Sequence, residues 1–214
     1  DYEERADRDL RVNGYHIHST IDKEIHDAFK EVVNEYPYYG PNRTIAVEDP
    51  ETGETIQVPN PVQTGGILIE NSTGRIISFV GGRGFTEDRQ LNYATAARRS
   101  VGSVFKPVLI YAPAMEEGYV QPATPIADYP KVFRGGYDPK NYGGAHYGIV
   151  SAREALKNSY NIPAVETYMQ IIDDNPAKNY LEKMGITSLT DGDHIRPSLA
   201  LGSVDYGVTV EEMT

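Results

Sequence analysis

Gly102-Ser103-Val104-Phe105-Lys106-Pro107 is the stretch on which the reading of this chain turns. Ser103 and Lys106 are three residues apart, so on a helix they share one face. A serine hydroxyl is a poor nucleophile until a neighbouring base takes its proton. A lysine serves as that base when it is neutral, and burial or nearby positive charge lowers its pKa. Inside a regular helix the Pro107 ring would clash with the carbonyl of residue 103. The helix is therefore predicted to start at about Ser103 and to run to Glu117. This start puts Ser103 at the positive end of the helix dipole, where an oxyanion is favoured. Pro113 predicts a kink near Leu109. Alone the pair is a weak signal, because roughly one S-x-x-K is expected by chance in a chain of this length.

Downstream, Ser151-Ala152-Arg153-Glu154 has the form of a capping box and opens a helix predicted over 151–158. At its end stands Ser159-Tyr160-Asn161, followed by Ile162-Pro163. Proline disfavours α conformation at Ile162, which makes 159–161 a helix-to-loop corner able to point side chains into a cleft. Ser159 has the chemistry to pass a proton between Lys106 and a leaving nitrogen. Asn161 can hold a substrate amide beside the lysine. Tyr160 is a weaker candidate for the cleft wall, and simple packing explains it as well. Two further helices are predicted over 163–172 and 176–184, each opening on a proline, the second stopped by Gly185. Thr209-Val210-Glu211-Glu212 is another capping-box pattern. The Gly-, Tyr- and Pro-rich residues 119–149 read as loops.

Upstream, Gly66–Glu70 and Arg75–Val80 read as two strands joined by the turn 71–74, with Gly81-Gly82-Arg83-Gly84 a flexible loop after them. Earlier still, 15–20 looks extended. Asp22 is a predicted N-cap, with Ile21 as a hydrophobic staple, for a helix carrying Ile25, Phe29, Val32 and Val33 and ending at Tyr36-Pro37. Residues 44–48 and 55–58 form a predicted hairpin across Asp49–Glu54, and Pro59-Asn60-Pro61 reads as a linker. A boundary is placed near residue 62, dividing 1–62, a module of helix and hairpin, from 63–214.

Composition narrows the function classes. The 214 residues are 39% hydrophobic, which suits a folded chain rather than a disordered one. Sixteen tyrosines and no tryptophan predict many half-buried rings whose hydroxyls need partners. A net charge of −11 argues against nucleic acid as a partner. No apolar run is long enough to span a membrane. Cysteine is absent, which removes thiolate catalysis, disulfides and cysteine metal sites. His16, His18, His26, His146 and His194 include no H-x-x-x-H pair, so neither metal nor cofactor is assigned. His146 in its glycine-rich loop reads as a loop imidazole, and Arg98 and Arg99 are candidates for raising the positive potential near Lys106.

S-x-x-K followed by S-x-N is two thirds of the signature of penicillin-binding proteins and serine β-lactamases. The likeness extends to Gly65–Gly82, to Asn92–Arg99, to Tyr137-Asp138-Pro139-Lys140-Asn141-Tyr142, to Ala155–Ser159 and to Leu199-Ala200-Leu201-Gly202 leading into Gly207-Val208-Thr209. Over about 62–214 the chain resembles the front of a penicillin-binding transpeptidase domain. Ser19-Thr20-Ile21-Asp22 is similar to the segment before that domain in class A, bifunctional members. The resemblance implies an α+β fold, an antiparallel sheet flanked by helices, incomplete in this chain. It implies a serine acyl-enzyme that cross-links peptidoglycan stem peptides and is trapped by β-lactam antibiotics. Ser103, Lys106, Ser159 and Asn161 would be catalytic, and the Ser103 N–H would supply half of the oxyanion hole. The enzyme would work at the outer face of the bacterial cytoplasmic membrane, anchored by a segment not in this chain.

The chain also departs from the family pattern. Neither Lys-Thr-Gly nor Lys-Ser-Gly occurs in it. In the family this third motif lies on a later strand, here beyond Thr214, and supplies carboxylate contacts and the second oxyanion N–H. Residues 1–214 alone are therefore expected to be inactive and to depend on the remainder of the protein as partner. Class A β-lactamases need a glutamate well downstream of S-D-N. None lies between Glu182 and Glu211, and residue 160 is Tyr rather than Asp. A D-Ala carboxypeptidase, a β-lactamase and a non-catalytic β-lactam sensor or scaffold remain the alternatives.

Overall fold

The computed structural model of the chain describes residues 2–49, 52–84 and 91–214. It opens with helix α1 (Tyr2–Val12), which the sequence reading does not anticipate. Leu10 and Val12 are exposed and the rest of the helix is largely polar, so there was no apolar stripe to detect. Residues 15–20 form no strand. Where this segment ends, the Thr20 hydroxyl donates to the Ile76 carbonyl (2.6 Å) and the Asp22 N–H to the Ile77 carbonyl (2.9 Å). Helix α2 (Lys23–Glu35) then starts as expected, with the Asp22 carboxylate accepting from the Ile25 N–H, and ends at Tyr36.

Strands β1 (Arg43–Glu48) and β2 (Thr55–Asn60) form the expected antiparallel hairpin. Its turn is closed by an Asp49 N–H to Glu54 bond of 2.8 Å, while Pro50 and Glu51 lie outside the described residues. Pro59, assigned above to a linker, is instead in β2 opposite Thr44. A two-stranded ribbon has an outer edge that asks no N–H of it. Strands β3 (Gly66–Glu70) and β4 (Arg75–Val80) pair antiparallel with a bulge at Leu68/Ile69. Helix α2 packs across this ribbon. The tip of the Phe29 ring occupies the space that a side chain at Gly66 would take, and His26 lies against Phe79 and Ser78.

The predicted nucleophile helix covers 102–116 in three geometries: a 3₁₀ turn (Gly102–Val104), a π-helical stretch (Lys106–Tyr111) and α3 (Ala112–Glu116). The irregularity expected near Leu109 takes the form of these wide turns, which give the Pro113 ring room where an α-helix would clash.

The Gly- and Tyr-rich 119–149 region is not all loop. Strand β5 (Pro125–Asp128) pairs antiparallel with β6 (Gly148–Ser151), in register from Pro125↔Ser151 to Asp128↔Gly148. Helix α4 (Ala152–Lys157) follows, capped by the Ser151 hydroxyl on the Glu154 N–H. Only that half of the expected capping box is made, because the Glu154 carboxylate turns to Asn158 and Lys157. Helix α5 (Asn161–Ile171) starts two residues earlier than predicted and includes Ile162 despite the following proline. Proline in a first turn forfeits only an N–H that has no helical partner. The predicted 176–184 helix is a π-helical stretch (Ala177–Leu181) and a 3₁₀ turn (Glu182–Met184), stopped at Gly185 in left-handed conformation. The helix α6 (Asp191–His194) and the 3₁₀ helix Pro197–Leu201 were likewise not predicted. The expected capping box opens α7 (Val210–Met213), and Glu212 also accepts from the Thr187 N–H and the Ser188 hydroxyl.

The core gathers around α5. Ile162, Val165, Tyr168 and Ile171 from this helix meet Phe105, Leu109 and Ile110 of the nucleophile helix, together with Leu181 and Leu199, all buried. Tyr111 and Tyr168 are buried whole, not half, and their hydroxyls lack partners among the described residues. Burial pushes both phenols up. No helix among the described residues is long and apolar enough to cross a membrane.

Candidate active site

The approach to Ser103 is fixed from below by close backbone packing. Arg99 and Val208 exchange N–H···O bonds of 3.0 and 2.9 Å. A Cβ at Gly207 would fall 2.4 Å from the Arg99 nitrogen, and one at Gly202 would fall 2.2 Å from the Gly102 carbonyl oxygen. The Ser100 hydroxyl donates to the Gly202 carbonyl. Glycine is thus required where the 202–208 segment lies against the chain leading into the nucleophile helix. Ser103 is exposed in the first turn, where backbone N–H groups have no partner inside the helix.

One turn on, Lys106 is 1% exposed. Its ammonium donates to the Asn161 Oδ1 (2.7 Å), the Ser159 carbonyl (2.7 Å), the Ser159 Oγ (3.1 Å) and, at 3.4 Å, the Tyr160 carbonyl. None of these bonds goes to Ser103. Burial pushes the lysine down to about 8. Arg98 and Arg99 are not the cause, and the Arg99 backbone serves the bridge to Val208 instead.

The corner expected at 159–161 is a strained one. Ser159 sits at φ +55°, a left-handed conformation that costs a residue with a Cβ roughly 1–2 kcal/mol. That turn lets both its carbonyl and its hydroxyl face Lys106. Asn161 also donates its amide to the Lys140 carbonyl (2.7 Å), which aims Oδ1 at the lysine. Tyr160 is half-buried and stacks on Tyr147, with ring centroids 4.4 Å apart. His146, beside it, is an exposed loop residue.

The structure therefore brings Lys106, Ser159 and Asn161 into direct contact from positions more than fifty residues apart, with Ser103 on the adjoining turn. The sequence reading missed the residues behind them. Asn141 and Asp128 are both buried and hydrogen-bonded to one another, and Asn141 reaches the backbone of α5. Their available signal was slight: an acid closing the short apolar Pro125–Asp128 run, and an asparagine opening a Gly-Gly turn.

The family described as the penicillin binding protein transpeptidase domain matches residues 64–197. Penicillin-binding protein 1F of Bacillus subtilis (strain 168) is 32% identical over 200 residues, covering 94% of this chain and 25% of that protein. Penicillin-binding protein 1A of Streptococcus pneumoniae (strain R6) is 28% identical over 217 residues, covering 99% and 28%. The chain spans about a quarter of the length of these relatives. Among solved structures, the PonA1 protein from Mycobacterium tuberculosis in complex with penicillin V superposes with a TM-score of 0.66 at 19% identity, over 96% of this chain and 51% of that one. The imipenem acyl-enzyme complex of penicillin-binding protein A from the same organism gives 0.64 at 18%, over 98% and 54%. At such identities the superpositions speak for the fold.

Proposed function

The chain belongs to the penicillin-binding protein transpeptidase family, and from that premise we propose that it carries the nucleophile half of a D,D-transpeptidase that cross-links peptidoglycan stem peptides. The observation that carries this reading is the buried Lys106 amine, held within hydrogen-bond distance of Ser159 Oγ and Asn161 Oδ1 and lying one turn from Ser103.

Neutral Lys106 accepts the Ser103 hydroxyl proton as Oγ attacks the penultimate D-Ala carbonyl. With a pKa of about 8, roughly a tenth of the lysine is neutral at pH 7. The free N–H of Ser103 stabilises the oxyanion. Ser159 relays the proton from Lys106 to the leaving nitrogen, the C–N bond breaks, and D-Ala departs. An amine of a second stem peptide then attacks the ester, gives up its proton by the same route, and frees Ser103. A β-lactam enters at the first step, and its opened ring stays on Ser103. The four hydrogen bonds that Lys106 donates belong to the charged form, and its hydrogen bond with Ser103 forms when the lysine is neutral and substrate is bound.

Residues 63–214 form the front of the catalytic domain, and 1–62 a preceding module of helices and hairpin. The start of the family match at 64 supports that division. The remaining site wall comes from sequence beyond Thr214. The protein works at the outer face of the cytoplasmic membrane, anchored by a segment outside this chain.

The test is covalent labelling of the full-length protein with a fluorescent penicillin. The label is expected to survive denaturation and to be absent from Ser103→Ala. Labelling of Ser103→Ala equal to that of the parent overturns the assignment.

A further inference from the structure

Helix α5 begins at Asn161, yet Tyr160, its cap residue, offers no capping side chain. The cap comes from elsewhere. The Asn141 Oδ1 accepts from the N–H groups of Asn161 (2.8 Å) and Ile162 (3.3 Å). The Asn141 amide nitrogen donates to both oxygens of Asp128 (2.8 and 2.9 Å) and to the Ala145 carbonyl (2.9 Å). With both donors used on one side, only the oxygen can face the helix, so the amide has one possible orientation. Asp128 is fully buried, Asn141 is 4% exposed, and Asp128 also accepts from the Tyr147 N–H (2.9 Å). Asp128 closes β5 and Tyr147 immediately precedes β6, so this carboxylate ties the end of the ribbon to the 141–147 loop.

We propose that Asn141, oriented by the buried Asp128 carboxylate, is the positioning residue of the catalytic corner. It fixes where α5 begins and thereby where Asn161 and Ser159 meet Lys106. The inference rests on the function proposed above. It adds a second grip to that of the Lys140 carbonyl on the Asn161 side chain, so one loop holds Asn161 by main chain and side chain together. A loss of the cap frees the first turn of α5 and lets Asn161 Oδ1 leave the lysine.

The test compares Asn141→Ala, Asn141→Asp and the exchange variant Asp128→Asn/Asn141→Asp in the full-length protein. Asn141→Asp sets two carboxylates against each other in a buried site. The exchange restores an amide–carboxylate pair and still presents an oxygen to the helix N–H groups, giving up only the donation to the Ala145 carbonyl. The readout is the rate constant of penicillin acylation, separated from the labelled fraction. Both single variants are expected to acylate about tenfold to a hundredfold more slowly, and the exchange variant to recover most of that rate. Hydrogen exchange at the Asn161 and Ile162 amides should be slow in the parent and the exchange variant and fast in Asn141→Ala.

A merely structural residue would lower the labelled fraction and leave the rate constant of the folded molecules unchanged, which overturns the proposal. An exchange variant as slow as Asn141→Asp also overturns it. If Asn141→Ala does not fold, the comparison of the exchange variant with Asn141→Asp decides. Failure of the functional reading looks different: the parent takes no label, or Ser103→Ala keeps it. The two amides then still report on the cap.

Discussion

Lys106 and Ser159 each carry two physical effects that substitutions can pull apart. The lysine must be buried to become a base, and it must lose a proton to act as one. Arginine would keep the charge and the hydrogen bonds but cannot deprotonate. Lys106→Arg is therefore expected to cut the acylation rate by about 10²–10⁴-fold, read by stopped-flow labelling. Lys106 is protonated below its pKa, and only the neutral amine takes a proton. In the parent the rate should rise with pH up to about 8 and fall on the acid side, at roughly tenfold per pH unit. A pH-independent rate between 6 and 8 would count against lysine as the base. At Ser159, Ala and Gly both delete the hydroxyl, but only Gly relieves the backbone at φ +55°. The two variants should acylate equally slowly, with Ser159→Gly more stable than Ser159→Ala by about 1 kcal/mol in thermal unfolding.

Among the elements, the nucleophile helix depends on glycines that pack beneath its start. An alanine at Gly202 meets the Gly102 backbone at 2.2–2.7 Å and must also adopt φ +71°. Gly202→Ala is expected to lose about 1–3 kcal/mol of stability and to slow acylation by displacing Ser103, checked by melting and labelling of the same sample. This is also the scale at which the sequence was most and least legible. The starts of α2, α4 and α7 could be read because Asp22, Ser151 and Thr209 each cap a helix within three residues of themselves. The start of α5 could not, because its cap is Asn141, twenty residues away. The β5–β6 ribbon escaped because two four-residue strands carry too little period to register, and their pairing lies across the 129–147 loop. The π-helical turns at 106–111 reflect how Pro113 is accommodated, which spacing alone does not specify. At the candidate site, Ser103, Lys106, Ser159 and Asn161 were singled out by chemistry and resemblance. The buried Asp128–Asn141 pair carries no catalytic chemistry of its own, so its slight signal marked neither residue as part of the site.

At the scale of the whole molecule, the described residues form a well-filled helical core and three separate two-stranded ribbons. Such ribbons are marginal on their own, and strand edges without neighbours invite further strands. Residues 1–214 expressed alone are expected to melt without a sharp cooperative transition and to take no penicillin label, whereas the full-length protein is expected to melt sharply and to take the label. Near-UV circular dichroism and gel fluorescence check the two halves of that statement. The nucleophile is identified by the address of the acyl group. Trypsin does not cut Lys106-Pro107, so residues 100–131 emerge as one peptide carrying both Ser100 and Ser103. Ser100 is an internal control, since its hydroxyl is engaged with the Gly202 carbonyl. Fragmentation of the penicillin-treated full-length protein should place the penicilloyl mass on Ser103. Its appearance on Ser100, on Ser159 or on any residue outside 100–131 would rule out Ser103 as the nucleophile.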